Sequence, residues 1–346
     1  MKIACLPGDG VGAEVMREAV RAVEILLPEA TTEEYLLGAV AIDACGDPLP
    51  PETLAACREA DGVLMGAVGS DRYTWKDADN PEDGMFRLRK ELDVYANLRP
   101  SNGSAIDLLI VRELVGGLYF GQRGTDPDGT VWDRLEYHPR QIERLVRRGF
   151  EFARKRSGRL TSVDKANVLA TSRLWRGVVD DVAGDYPDVE VRHLLIDTAG
   201  MRLVEDPSEF DVLVTENTFG DILSDVAAAL SGGIGVAASA CIGDGPVGLF
   251  EPVHGTAPDL AGRGVANPTA MLLSVALMLR YGLDRPDEAA ELERAVAAAR
   301  AACPTLDAGG TATTVEFGDH VVATLRRERE AAGADGQAAA PERESA

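Results

Sequence analysis

The chain has 346 residues, of which 45% are hydrophobic, and this is enough for two domains or one large α/β unit with a sizeable core. Its 57 Asp and Glu residues outnumber its 35 Lys and Arg residues, so the net charge of −22 argues against nucleic acid and against membrane surfaces as partners. Five scattered cysteines, no leader-like N-terminus and no apolar run of membrane-spanning length predict a protein of the reducing cytoplasm.

Short apolar runs alternate with amphipathic stretches of helical period along most of the chain. Strands are predicted for residues 2–6, 62–65, 108–111, 160–163 and 212–215. Helices are predicted for residues 13–27, 140–155, 172–183, 221–230 and 287–302. This alternation is typical of an α/β fold. From residue 326 to residue 346 no large apolar side chain occurs, and we expect this tail to be disordered.

The N-terminal segment LPGDGVG has the glycine content of a dinucleotide-binding fingerprint without its spacing. The G-x-G-x-x-G pattern would place its third glycine where Ala13 stands. We therefore interpret residues 8–12 as a tight turn from a strand into a helix, not as a Rossmann phosphate loop.

Arg89 and Arg99 lie in the segment GMFRLRKELDVYANLRP, and Arg112 lies in VRELVGGLYFGQRG, shortly before Tyr119. Forked guanidinium groups bind carboxylates through two hydrogen bonds, so Arg89, Arg99 and Arg112 could hold a dicarboxylate in one orientation. Each arginine taken alone fits a surface ion pair equally well, and Tyr119 between Leu118 and Phe120 fits a half-buried strand residue.

Lys165 follows a strand-like run in TSVDKANVL and precedes a polar turn. Lysines are usually solvated surface charges, and this remains one interpretation. The other is a general base, a role that a lysine beside a metal ion can take.

Two aspartates stand four residues apart in TENTFGDILSDVAAAL, so Asp221 and Asp225 project from one face of the predicted helix. Their like charges repel each other unless a cation lies between them, and carboxylate oxygens are the ligands that Mg²⁺ and Mn²⁺ prefer. Alternatively, Asp221 interacts with the helix dipole and Asp225 is solvated.

Residues 251–268, EPVHGTAPDLAGRGVANP, are rich in Gly and Pro and poor in charge, which predicts an ordered loop before a helix. Such a loop can surround an adenosine moiety, with Asp259 placed to accept hydrogen bonds from ribose hydroxyls and to disfavour a 2′-phosphate. An ordinary long connection is the alternative. The four dispersed histidines show no hydrolase or metal spacing.

Taken in order, these segments resemble the β-decarboxylating dehydrogenases, the family of isocitrate and isopropylmalate dehydrogenases. LPGDGVG, ANLRP, VRELVGGLYFG, VDKANVL, FGDILSD and EPVHGTAPDLAG carry the resemblance, which extends to about residue 325. It implies a two-domain α/β fold with a mixed parallel and antiparallel sheet, distinct from a Rossmann fold. The nucleotide-binding domain would comprise residues 1–94 and 233–325, and residues 95–232 would form the substrate, metal and dimerisation domain.

The resemblance also implies a role for each matching residue. Arg89, Arg99, Arg112 and Asp197 would bind the malate, Asp197, Asp221 and Asp225 would bind Mg²⁺ or Mn²⁺, and Lys165 and Tyr119 would be catalytic. Lys165 and Asp197 would come from the other subunit of a homodimer with shared active sites. NAD would be bound by Glu82, Glu251, His254, Gly255, Thr256, Ala257, Asp259, Leu260 and Asn267.

Within the family, the segments 38–50 and 81–100 most resemble the isopropylmalate branch. Glu82 lies at a branch-specific position, and Met85, Phe86 and Val168 would line the pocket for an alkyl group at C3. The expected reaction is NAD-dependent oxidative decarboxylation of 3-isopropylmalate in leucine biosynthesis. Two departures from the branch are a short 100–107 segment and the bulk of Phe86. The alternatives are the same chemistry on another 3-alkylmalate or 3-arylmalate, isocitrate or tartrate, or a relative without catalytic activity.

Overall fold

The computed structural model describes residues 1–73, 80–103 and 106–338. Ten of its strands form one mixed sheet in the order β2-β1-β3-β12-β11-β4-β5-β10-β8-β9, and β6 and β7 form a separate hairpin. The strands are β1 (Lys2–Gly8), β2 (Thr31–Glu34), β3 (Gly62–Ala67), β4 (Ala96–Asn102), β5 (Asp107–Glu113), β6 (Arg123–Thr125), β7 (Val131–Asp133), β8 (Arg159–Asp164), β9 (Glu190–Leu195), β10 (Val212–Thr215), β11 (Ala238–Ile242) and β12 (Leu249–Pro252).

The helices cover both faces of the large sheet. They are α1 (Gly12–Leu26), α2 (Ala39–Cys45), α3 (Pro51–Glu59), α4 (Pro81–Glu91), α5 (Pro139–Arg154), α6 (Ala170–Ala183), α7 (Ile196–Glu205), α8 (Asn217–Leu230), α9 (Thr269–Leu277), α10 (Pro286–Ala302) and α11 (Thr314–Ala338). None of these helices is long and apolar enough to cross a membrane.

The sheet has two parallel wings around an antiparallel centre. Strands β2, β1, β3 and β12 pair in parallel, as do β5, β10, β8 and β9, whereas β11 runs antiparallel to both β12 and β4, and β4 runs antiparallel to β5. The predicted mixed α/β architecture is therefore confirmed. The five predicted strands and the five predicted helices all exist, with bounds that differ by a few residues.

The start of α8 is the boundary that the sequence prediction placed wrongly. We expected this helix to begin at Asp221, but it begins at Asn217 because the side chain of Glu216 accepts a hydrogen bond from the backbone N–H of Phe219 at 2.7 Å. The carboxylates of Asp221 and Asp225 consequently lie one turn further into the helix than expected.

Strands of the two predicted domains occupy opposite halves of the one sheet. Residues 1–94 and 233–325 contribute β1, β2, β3, β11 and β12, and residues 95–232 contribute β4, β5, β8, β9 and β10. Because the sheet is continuous across the border between β11 and β4, the division into two domains stays a prediction. Buried side chains fill both sides of the sheet, with the large cluster around α1, α5 and α9.

The glycines of LPGDGVG form the predicted tight turn between β1 and α1. Gly8 and Gly10 have φ of +69° and +57°, a left-handed conformation that favours glycine. A Cβ atom at Gly10 would collide with the carbonyl oxygen of Thr256, and the N–H of Val11 donates to that same oxygen at 2.9 Å. The turn therefore packs directly on the loop that follows β12.

The expectation of a disordered tail is wrong for its first part. Helix α11 continues to Ala338, because Arg329 pairs with Glu291 at 2.9 Å and donates to the carbonyl oxygen of Ile25 at 2.6 Å. Long charged side chains can thus anchor the part of this helix that has no large apolar residue. Residues 339–346 lie outside the described residues.

The short 100–107 segment joins β4 directly to β5. Asn102 is opposite Asp107 in the antiparallel ladder, and the N–H of Gly103 donates to the carbonyl oxygen of Ile106 at 2.8 Å. Ser104 and Ala105 within it lie outside the described residues.

Candidate active site

A cavity of about 210 Å³ opens where β3, β5 and β12 end. Ligand sites in open α/β sheets form beyond the carboxyl ends of the strands, so this position is the expected one. Ten of the residues predicted from the sequence line the cavity: Met85, Phe86, Arg89, Arg99, Arg112, Tyr119, Asp221, Glu251, His254 and Gly255.

Arg112 is the most constrained cation of the cavity. Its Nε and Nη2 atoms donate to Oδ1 of Asn217 at 3.1 and 2.7 Å, and Nη1 contacts the carboxylate of Asp221. Burial and the nearby Arg99 lower the pKa of Arg112 to about 10, so the guanidinium stays charged at neutral pH. Gly220 leaves room for this side chain, since a Cβ atom there would lie 2.6 Å from Cγ of Arg112.

Arg99 extends from β4 towards the same helix. It donates to Oδ1 of Asn97 at 2.8 Å and to Oγ of Ser224 at 2.7 Å. Its guanidinium lies 3.4 Å from Asp221 and 3.5 Å from Asp225. Half-buried Arg99 and buried Arg112 therefore share the negative charge of one helix face.

Arg89 faces the cavity from α4 and pairs with Glu251 on β12. Its Nη2 lies 2.6 Å from Oε1 of Glu251, and both side chains are buried. The same carboxylate oxygen accepts a hydrogen bond from Sγ of Cys241 at 3.3 Å. Glu251, which we expected at the cofactor, thus contacts a predicted substrate arginine.

Tyr119 places its hydroxyl against the acidic helix face, donating to Oδ2 of Asp221 at 3.1 Å. Burial and the Asp221 carboxylate raise the pKa of Tyr119, which keeps the phenol protonated and able to donate a proton. The next residue, Phe120, packs edge-to-face on Phe86 with ring centroids 5.4 Å apart. An aromatic pair therefore borders the polar part of the cavity.

The acidic pair on α8 has the donor atoms for a divalent cation but not a full set of ligands. Burial, together with the neighbouring Asp221, raises the pKa of Asp225, as expected for two carboxylates on one helix face. Among residues 1–73, 80–103 and 106–338, no three His, Cys, Asp or Glu side chains are close enough to hold a metal ion.

Lys165, Asp197 and Val168 do not line the arginine cavity of their own chain. Nζ of Lys165 contacts Oδ1 of Asp197 at 2.6 Å, and this hydrogen bond lowers the pKa of Asp197. Val168 is 64% exposed. The structure therefore brings these three predicted residues together on the surface, apart from the arginines.

The predicted cofactor residues form one region around the loop after β12. The carboxylate of Glu82 lies next to Gly69, which also approaches Thr256. Burial lowers the pKa of His254, so the ring is neutral at pH 7, and within the described part of the chain its Nε2 atom is buried without a hydrogen-bond partner. Ala257 has a φ of +40°, Asp259 is exposed, and Asn267 donates to Asp307 at 3.0 Å.

Sequence reasoning missed four residues that support the cavity from below: Glu113, Tyr137, Glu216 and Asn217. Asn217 lies four residues before Asp221 and eight before Asp225, so the same helical spacing could have indicated it. No comparable signal exists for Tyr137, which reaches α8 from a distant part of the chain.

Comparison with known proteins identifies a family with similar sequences. Residues 2–321 match the family model described as isocitrate/isopropylmalate dehydrogenase. A 3-isopropylmalate dehydrogenase of Oceanobacillus iheyensis is 48% identical over 314 residues, covering 85% of this chain and 86% of the relative. The enzyme of the same name from Zymomonas mobilis is 45% identical over 348 residues, covering 94% of this chain and all of the relative.

Solved structures agree with the sequence matches. An isocitrate dehydrogenase from Methylococcus capsulatus superposes with a TM-score of 0.86 at 34% identity, covering 94% of this chain and 99% of that chain. A β-decarboxylating dehydrogenase from Thermococcus kodakarensis gives 0.81 at 37% identity, with coverages of 95% and 97%. The chain belongs to the isocitrate/isopropylmalate dehydrogenase family. Membership implies dehydrogenase chemistry with a nicotinamide cofactor and a divalent metal ion in general terms.

Proposed function

We propose that the protein catalyses the NAD-dependent oxidative decarboxylation of 3-isopropylmalate in leucine biosynthesis. Its relatives are named 3-isopropylmalate dehydrogenase, which supports this substrate. The observation that carries this proposal is the convergence of Arg89, Arg99 and Arg112 on one cavity beside Tyr119 and Asp221. Three buried or half-buried guanidiniums in a protein of charge −22 suit a small dianion.

The walls of the cavity support a substrate that is anionic at one end and apolar at the other. The arginines would bind the two malate carboxylates, while Met85 and Phe86 would contact the isopropyl group at C3. Val168 would complete this apolar wall from the partner subunit. Its 64% exposure in the single chain is consistent with such a role.

A divalent cation, Mg²⁺ or Mn²⁺, would be held by Asp221 and Asp225 together with the partner subunit's Asp197. Two carboxylates on one helix face repel each other, and the same oxygens are preferred ligands of these ions. Within the described part of the chain, no third carboxylate, histidine or cysteine joins this pair, which supports a ligand from a second subunit.

Lys165 and Tyr119 would each move a proton at a different step of the proposed reaction. When bound, the cation would draw electron density from the C2 oxygen, and NAD would accept the hydride from C2. The partner subunit's Lys165 would remove the proton of the C2 hydroxyl. The bond from C3 to its carboxylate would then break to release CO₂, and Tyr119 would return a proton to C3. A phenol with a raised pKa keeps its proton until this step.

The cofactor would lie along the loop after β12, against Glu82, Glu251, His254, Gly255, Thr256, Ala257, Asp259, Leu260 and Asn267. The preference for NAD over NADP is proposed from Asp259, because an exposed carboxylate accepts hydrogen bonds from ribose hydroxyls and repels a 2′-phosphate. The neutral ring of His254 is available as a donor or acceptor in this region.

A homodimer with shared active sites would bring the separated groups together. Met201 and Val204 on α7 and Ile222 on α8 are large apolar side chains that are more than half exposed, and they lie on the two helices that carry Asp197, Asp221 and Asp225. Association of this surface with its copy would bury them. Five cysteines without a disulfide are consistent with our proposal that the enzyme works in the cytoplasm.

The proposal is tested by measuring NADH formation with 3-isopropylmalate, isocitrate, tartrate, malate and a 3-arylmalate in the presence of Mg²⁺ or Mn²⁺. We expect the highest kcat/KM for 3-isopropylmalate with NAD. Because Phe86 and Phe120 form a bulky aromatic border, a higher kcat/KM for another 3-substituted malate would move the proposal to that substrate. No turnover of any of them would refute it.

A further inference from the structure

Tyr137 lies beneath the candidate active site and touches none of the groups that the proposed reaction uses. Its hydroxyl oxygen accepts the backbone N–H of Asn217 at 3.0 Å and lies 3.2 Å from Glu216 Oε2 and 3.4 Å from Glu113 Oε2. Burial and these two carboxylates raise the pKa of Tyr137. The phenol is therefore a permanent hydrogen-bond donor as well as an acceptor.

One side of Tyr137 supports the loop that carries Tyr119. Gly117 has a φ of +74°, and a Cβ atom there would collide with the Tyr137 hydroxyl. A Cβ atom at Gly116 would lie 3.1 Å from the tyrosine ring. The Glu113 carboxylate holds the same loop by accepting the N–H groups of Val115 and Gly116 at 3.0 and 2.8 Å. The paired glycines thus let this loop pass directly over the phenol.

The other side of Tyr137 supports the first turn of α8. Glu216 caps this helix, and Asn217 is its first residue. The side chain of Asn217 accepts hydrogen bonds from Nε and Nη2 of Arg112. It also donates to the carbonyl oxygen of Gly116 at 2.9 Å. A displacement of Asn217 would therefore reach Arg112 through a single hydrogen-bonded contact.

We propose that Tyr137 is a positioning residue that fixes Asn217, and through it the guanidinium of Arg112, in the orientation that receives a substrate carboxylate. The inference rests on the proposed function, since Arg112 is assigned to the substrate there. Tyr137 contacts two parts of the chain that are far apart in sequence, the loop before Tyr119 and the start of α8. Its hydroxyl therefore acts together with the direct hydrogen bond from Asn217 to Gly116 to hold them in place.

The test uses the full-length enzyme and a double-mutant cycle of Tyr137→Phe and Asn217→Ala. Tyr137→Phe leaves the N–H of Asn217 without its acceptor, so we expect kcat/KM for 3-isopropylmalate to fall about tenfold, chiefly through KM, with the KM for NAD unchanged. Asn217→Ala should give a similar loss. In the Asn217→Ala background, Tyr137→Phe should lower kcat/KM by less than about twofold, because the connection to Arg112 is already broken.

Tyr95→Phe is the matched control. Tyr95 is also a buried tyrosine whose hydroxyl donates to a carboxylate, Asp244 at 2.8 Å, but it lies outside the Arg112 network. We expect its KM for 3-isopropylmalate to equal that of the wild type. Thermal unfolding of each variant separates lost stability from lost positioning.

The inference would be overturned if Tyr137→Phe lowered kcat/KM equally in the wild type and in the Asn217→Ala variant. An unchanged KM for 3-isopropylmalate in Tyr137→Phe would also overturn it. Should Tyr137→Phe fail to fold, Asn217→Ala decides alone: a raised KM for 3-isopropylmalate supports the proposal, and an unchanged KM overturns it. A wild-type enzyme without turnover would instead refute the proposed function, so the two failures are distinguishable.

Discussion

Arg112 forms an ion pair with Asp221, and Asn217 binds the other edge of the same guanidinium. Oδ1 of Asn217 lies 2.7 Å from Nη2 of Arg112 and 3.1 Å from its Nε, while Nη1 contacts Asp221. A guanidinium bound along two edges keeps one orientation, which is the condition for recognising a carboxylate with a defined geometry.

Gly220→Ala should impair substrate binding although alanine favours helices. A Cβ atom at this position would lie 2.6 and 2.8 Å from Cγ and Cβ of Arg112, atoms near the backbone that cannot easily move. We expect KM for 3-isopropylmalate to rise about tenfold or more. Gly177→Ala in α6 is the control, because no atom lies within 4 Å of its Cβ position, and it should raise stability by up to about 1 kcal/mol without affecting KM.

Gly10→Ala should weaken binding of NAD. The new Cβ atom would collide with the carbonyl oxygen of Thr256 and so displace the proposed cofactor loop. Gly46→Ala has a matching left-handed backbone strain, with a φ of +78° against +57°, but has open space around its Cβ position. Isothermal titration with NAD should therefore show weaker binding for Gly10→Ala and wild-type binding for Gly46→Ala. Equal affinities of both variants would contradict the contact between the turn and the loop.

The buried carboxyl of Glu113 should make stability depend on pH. Burial raises its pKa from 4.5 to about 7, so the folded chain holds a proton that the unfolded chain releases at lower pH. The stabilisation is complete below about pH 4.5 and is lost as the pH rises through about 7. Relative to Glu113→Gln, the free energy of unfolding of the wild type should fall between about pH 5 and about pH 8 in urea titrations. If the free energy of unfolding of the wild type, relative to that of Glu113→Gln, rose with pH or did not change, the raised pKa of Glu113 would be contradicted.

Two inactive variants should restore activity when mixed, if the active site is shared between subunits. Lys165→Ala and Asp221→Asn would each inactivate both sites of their own dimer. After subunit exchange, half of the dimers are mixed and each has one intact site, so about a quarter of wild-type activity should return. Native mass spectrometry of the mixture verifies the exchange. Exchange without recovered activity would show that Lys165 and Asp221 act within one chain.

Most of the fold and of the arginine cavity could be predicted because the signals were local. Apolar runs located the strands, and the short motifs around Arg99, Arg112 and Asp221 indicated side chains that the structure brings to one cavity. Tyr137 could not be predicted, because its contacts with Asn217 and Gly117 depend on packing between distant segments. The helical tail was missed for a similar reason, since the contacts of Arg329 with Glu291 and Ile25 are tertiary.

The most direct test of the proposed function is the stoichiometry of the reaction with 3-isopropylmalate as sole substrate. NADH and CO₂ should form in equal amounts in the presence of Mg²⁺ or Mn²⁺, and both should cease when the cation is removed by a chelator. Formation of NADH without CO₂ would contradict decarboxylation, and the absence of NADH would contradict the assignment of this cavity to 3-isopropylmalate.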